Sequence, residues 1–125
     1  MYWRYSGYYL MLTGVIHNII GLLMGYNVIV DMCSDGLWNT IEQAGTINFQ
    51  RSALLWFLLV GCFWILMGYL MQQWLKQQKP LPSVLGYGFI ILGTLVAVVL
   101  PVSGAWLFLP QGLIILFSQK KLGGN

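Results

Sequence analysis

Three stretches of this chain carry no charged side chain at all: Tyr5–Val30, Ser52–Leu75 and Pro80–Gln119. A helix needs about 20 apolar residues to cross a hydrocarbon core of about 30 Å. The first two stretches fit one crossing each. The third is too long for one crossing and is interrupted by Pro101-Val102-Ser103-Gly104. Proline removes a backbone donor and clashes with the preceding turn, so a helix–turn–helix is expected there. A closed barrel, the other spanning solution, needs period-two alternation. Leu54-Leu55-Trp56-Phe57-Leu58-Leu59-Val60 does not alternate.

Composition agrees. Hydrophobic residues make up 58% of the 125, charged ones 7%, and the mean hydropathy is +0.74. A soluble domain carries about 25% charged residues. The six basic and three acidic side chains here are too few to cover a water-facing surface. Their net charge of +3 points to membrane orientation and not to nucleic acid, because the basic residues flank hydrophobic segments. The expected fold is an all-α, single-domain, four-transmembrane-helix bundle over residues 6–26, 52–74, 84–100 and 103–118. Pro110 falls inside the fourth helix, which is expected to tilt, to kink, or to dip into the membrane with the third as a re-entrant hairpin. The first apolar segment lacks a small-x-small cleavage site and is expected to be retained.

Lysine and arginine placement sets the orientation. Arg4, Lys76, Lys79, Lys120 and Lys121 fall on one side, and Arg51 falls on the other with Asp31, Asp35 and Glu42. Both termini are therefore expected in the cytoplasm. The long outer loop, Asn27–Gln50, is expected to hold a short amphipathic helix over Leu37–Gln43, capped by Ser34 or Asp35 and ended by Gly45. Trp38 and Glu42 would then belong to an interfacial lid, with a binding loop as the competing reading.

Glycines recur every seven residues: Gly7, Gly14 and Gly21; Gly61 and Gly68; Gly86 and Gly93. A seven-residue step returns to nearly the same helix face. Lipid gives helices no hydrophobic drive to associate, so close backbone contact must do so. These stripes are expected to be bundle seams, with a homo-oligomer face as the alternative. Gly7-Tyr8 and its closing Gly14 match Gly86-Tyr87 and Gly93, a weak internal repeat. Trp56/Gly61 and Trp106/Gly112 share a similar spacing. Two hairpins in one orientation, or chance among Gly-rich helices, would produce this.

His17, the only histidine, and Asn18 flank the first stripe, and Gln111 lies at comparable depth in the fourth helix. A buried polar group without a partner is costly in hydrocarbon, so mutual hydrogen bonding among them is expected, with Trp64 or Thr94 nearby. An intramembrane ionisable residue is a functional candidate; a neutral histidine cementing two helices is the plainer alternative. His17, Asn18, Trp64 and Gln111 form the candidate ligand-binding set. No carboxylate lies in the apolar segments to pair with His17. Cys62 reads as a small packing residue, and no disulfide with Cys33 can be inferred. The sequence therefore gives no catalytic residue, metal site or cofactor.

Gly14-Val15-Ile16-His17, the Leu81-Pro82 lead-in and the run Leu100-Pro101-Val102-Ser103-Gly104-Ala105-Trp106-Leu107-Phe108-Leu109-Pro110 resemble a family of small bacterial four-helix membrane proteins classed as a domain of unknown function. The resemblance spans nearly the whole chain and implies a four-helix inner-membrane protein, without an activity to transfer. The expected function is non-enzymatic: binding a hydrophobic molecule or a partner membrane protein among membrane lipids. The alternatives are a small transporter or channel subunit acting as an oligomer, and a membrane enzyme on a lipid or quinone using His17.

Overall fold

Residues 2–122 are described by the computed structural model. A 3-10 turn, Tyr2–Tyr5, leads into α1 (Ser6–Met24), which breaks at Gly25 before α2 (Tyr26–Ser34). A hairpin follows, β1 (Glu42–Gln43) paired antiparallel with β2 (Thr46–Ile47). Then come α3 (Phe49–Lys76), α4 (Ser83–Val99), a second 3-10 turn (Gly104–Leu107) and α5 (Phe108–Leu122). The protein is mostly helical. Trp3–Met24 and Phe49–Lys76 are long and apolar enough to cross a membrane, and α4 is a shorter apolar helix.

The helices pair as two hairpins, α1 on α3 and α4 on α5. Glycine sets both pairings. A methyl group on Gly7 would stand 2.5 Å from the Gly68 carbonyl oxygen, and one on Gly68 would stand 2.6 Å from that of Gly7. Gly86 and Gly112 face each other in the same reciprocal way, at 3.0 and 2.5 Å. Higher up, Gly14 meets the Gly61 backbone and Gly93 meets Ala105. The Gly7/Gly14 stripe and its Gly86/Gly93 counterpart thus occupy equivalent places. Gly61 therefore corresponds to Ala105 and Gly68 to Gly112, so Trp56 and Trp106 are not equivalent.

α5 lies on α1 and on the N-terminal turn, joining the hairpins at one end. Leu10 and Ile115 are fully buried there, with Trp3, Met71, Leu75 and Leu81 around them. The Gln119 side-chain amide donates to the Leu81 carbonyl and ties the α3–α4 connection to α5.

The outer loop departs from expectation. No helix forms over Leu37–Gln43, and the short helix is α2 instead. The cause is Arg51, 8% exposed, whose guanidinium donates to the Thr40 carbonyl at 2.7 Å and pairs with Asp35 at 2.7 Å. A buried cation must be matched by acceptors, and Asp35–Thr40 turns back to supply them. Leu37 and Asn39 take positive φ values of 65° and 50°, which a helix cannot accommodate. Ala44 and Gly45, at φ 52° and 80°, make the primed turn that a two-residue hairpin requires. Asn48 Oδ1 accepts from the Arg51 amide at 3.2 Å and starts α3 at Phe49, ahead of Ser52.

The last helix starts later than expected. Ser103 Oγ accepts from the Ala105 amide at 3.3 Å and begins a 3-10 turn, which hands over to α5 at Phe108. Pro110 consequently falls in the first turn of α5, where it has no intrahelical bond to lose.

Candidate functional site

The close approach of Gly14 to Gly61 brings the α1 residues beside it onto the α3 backbone. The His17 ring stacks on Phe57, with centroids 3.7 Å apart and planes 14° from parallel. Its Nε2 lies 2.9 Å from the Phe57 carbonyl oxygen. A carbonyl only accepts, so Nε2 carries the proton, and in the neutral ring Nδ1 is left as an acceptor. No hydrogen bond within the described chain reaches Nδ1, and the residue is half-buried.

Trp64 lies 4.5 Å from the His17 ring, and Phe108 meets Trp64 edge-on at 4.6 Å. Phe89 then stacks on Phe108 at 5.5 Å. Offset and edge-to-face pairs of this kind add stabilisation beyond area burial. Here they carry one aromatic series from the first hairpin to the second, with His17 as its only ionisable member.

Asn18 faces the other side of the seam. Its amide nitrogen donates to Cys62 Sγ at 3.4 Å, while Oδ1 is buried against Gly61 and has no donor. Gln111 lies elsewhere, fully buried at the joined end. Its Nε2 donates to the Ser6 carbonyl at 3.0 Å and to Ser6 Oγ at 2.6 Å, and its Oε1 has no donor. The expected mutual bonding of His17, Asn18 and Gln111 is therefore replaced by three separate attachments. The cause is register: α5 starts low against α1, so Gln111 sits beside Ser6, about three turns from His17.

Of the four candidates, His17 and Trp64 are brought together, Asn18 lies next to them on the seam, and Gln111 is apart. Trp38 is 90% exposed and packs over none of them, and Glu42 is exposed on β1. Phe57, Phe89 and Phe108 join the site without having stood out in the sequence. Phe57 was legible, being seven residues before Trp64 and so on its face. Ser6 had no signal. Among the described residues, no three of His, Cys, Asp and Glu gather as metal ligands would.

A family model described as "Family of unknown function (DUF6463)" matches residues 1–122. No curated protein and no solved structure matches the chain.

Proposed function

We propose, on the premise that the chain belongs to the DUF6463 family of unknown function, that it is a four-pass membrane module binding a hydrophobic molecule with a hydrogen-bond donor at His17. Several features support the four passes. Besides the two long helices, α4 has 17 residues, the lower bound for a span. Gly104–Leu122 combines a 3-10 turn with α5 and reaches about 30 Å. Apolar side chains stand bare along every helix: Leu23 at 74%, Leu70 at 60%, Leu92 at 64% and Phe117 at 61%. Lys76, Lys79 and Lys120 lie at one end, and all three carboxylates are in α2 and the outer loop. That asymmetry supports cytoplasmic termini. A bacterial inner membrane and a single domain spanning the chain belong to the same reading.

The single observation carrying the binding reading is the free acceptor on His17. Phe57 and Trp64 hold its ring, the Phe57 carbonyl fixes its tautomer, and Nδ1 remains unmatched in an apolar wall. A hydroxyl donor on an aromatic or otherwise apolar body would satisfy that nitrogen while covering Trp64. Asn18, turned onto Gly61 and Cys62, would not touch the ligand. Gln111, bonded to Ser6, would hold the hairpins together and not touch it. Nothing acidic adjoins His17, which argues against an acid–base role.

The test uses two probes differing only in the donor, 4-octylphenol and its methyl ether, titrated against the purified protein with tryptophan fluorescence as readout. One hydrogen bond is worth about 0.5–1.5 kcal/mol, so the phenol binds about two- to twelve-fold tighter. His17→Phe preserves ring packing and abolishes the preference. Equal binding of both probes to the wild type would refute the reading, as would an unchanged preference in the variant.

A further inference from the structure

A groove of about 370 Å³ runs between α4 and α5 at the basic end of the molecule, away from His17. Its α4 wall is Ser83 and Tyr87, one turn apart; its α5 wall is Leu113, Phe117 and Lys120, which recur on one helix face. Leu116 packs towards Gly86 at the base. Both walls grade in the same direction, from Leu113, Phe117 and the Tyr87 ring to the Ser83 hydroxyl and the Lys120 ammonium near the end of α5. Tyr87, Leu113 and Phe117 are 58%, 47% and 61% exposed, so the apolar part of the groove has no cover among the described residues.

Its charge has no partner among the described residues either. The chain has three acidic residues, Asp31, Asp35 and Glu42, all in α2 and the outer loop, and Asp35 is already paired with Arg51. Among the described residues no carboxylate pairs with Lys120. We infer that this groove is a site for an anionic phospholipid of the cytoplasmic leaflet, its phosphate at Lys120 and Ser83 and an acyl chain along Phe117 and Leu113. Free phosphate or an acidic peptide would meet the ammonium and leave the apolar walls bare. A neutral lipid would do the reverse. One amphiphile with a negative head matches both, in the order in which the walls present them. The inference rests on the membrane reading and is independent of the ligand at His17.

The full-length protein in mild detergent is titrated by native mass spectrometry with phosphatidylglycerol and with phosphatidylcholine of identical chains. Preference for phosphatidylglycerol is expected, with Lys120→Gln reducing it about five-fold, the equivalent of about 1 kcal/mol for one lysine at an anionic surface. Lys76→Gln, the same charge change outside the groove, leaves the preference intact. Leu113→Trp, which fills the apolar part, weakens both lipids. Inorganic phosphate at matching concentration displaces neither. An unchanged preference in Lys120→Gln, an equal loss in Lys76→Gln, or displacement by phosphate overturns the inference. Carbonate extraction of membranes separates the premise: a released protein sinks the membrane reading and this site with it. A retained protein with no lipid preference sinks the site alone.

Discussion

The α1/α3 seam makes the sharpest quantitative prediction. A methyl group at Gly7 would sit 2.5 Å from the Gly68 oxygen, 2.6 Å from the Gln72 nitrogen and 2.7 Å from Gln72 Cβ. The first two are backbone atoms of a continuous helix and cannot swing aside. Restoring ordinary contact requires the helices to part by about 1 Å, and a gap of that size forfeits a quarter to a half of each dispersion contact along the seam. Overpacking of this kind costs about 1–3 kcal/mol, partly offset by alanine's helix propensity, at most about 1 kcal/mol. Gly7→Ala should therefore destabilise by about 1–2 kcal/mol. At Gly88, also helical, an added methyl group would meet nothing within 4 Å, so Gly88→Ala is neutral or stabilises. Because Gly7 and Gly68 clash reciprocally, Gly7→Ala with Gly68→Ala should cost less than the sum by at least about 0.5 kcal/mol. Reversible unfolding in mixed micelles, followed by tryptophan fluorescence, measures the wild type, the three single variants and the double variant. Agreement of Gly7→Ala with Gly88→Ala to within about 0.5 kcal/mol would refute close backbone contact as the basis of the pairing.

Arg51→Met removes the bonds to Thr40 and Asp35. With Asp35 half-exposed, about 2 kcal/mol of local stability is expected to go. Amide exchange over residues 36–47 should quicken about 30-fold, with that of α3 unchanged; unaltered exchange in the loop would contradict the pin. Gln111→Met preserves volume and loses an amide whose oxygen was unsatisfied, so it should cost about 1 kcal/mol, against about 2–4 for the cavity left by Gln111→Ala. Chemical denaturation distinguishes these, and equal costs would show that the hydrogen bonds to Ser6 dominate. Cys33 is exposed in the last turn of α2, and Cys62 lies mid-way along α3. A membrane-impermeant maleimide added to intact cells should label Cys33 and spare Cys62; labelling of Cys33 only after permeabilisation would reverse the topology.

The helices were legible because uncharged length and proline position act locally. The seams were legible because a seven-residue step fixes a face whatever the partner. The outer loop was not, since its shape answers to one buried guanidinium: Asp35 and Thr40 look like an ordinary helix start until Arg51 claims them. Hydrogen-bond partners of the polar residues also escaped, because face and approximate depth do not fix the register between hairpins. That register depends on the 3-10 turn before Phe108 and on where α5 begins. It sends Gln111 to Ser6 and leaves His17 to the Phe57 carbonyl.

The two hairpins share a glycine plan but differ in length, and the difference decides where a ligand would bind. One displacement carries Gly7 and Gly14 onto Gly86 and Gly93; a second carries Gly61 and Gly68 onto Ala105 and Gly112. This is the pattern that duplication of a hairpin, followed by lengthening of its first copy, would leave. α3 has 28 residues against 15 in its counterpart α5. The helix of the second hairpin that lies on α1 begins only at Phe108, so α1 beyond His17 extends past its cover, with Ile20 44%, Leu23 74% and Met24 83% exposed. Three polar groups answer to this geometry in different ways. Gln111 is enclosed where the hairpins meet, bonded to Ser6. Asn18 is turned inward onto Gly61. His17 stands at the edge of the shared wall, with one nitrogen committed and the other open. A molecule bound there would lie against a lateral surface and not inside a cavity, exchanging directly with the bilayer. Its affinity would come from one ring face and one hydrogen bond, which is why the donor-bearing probe and its methyl ether must differ if His17 is the site.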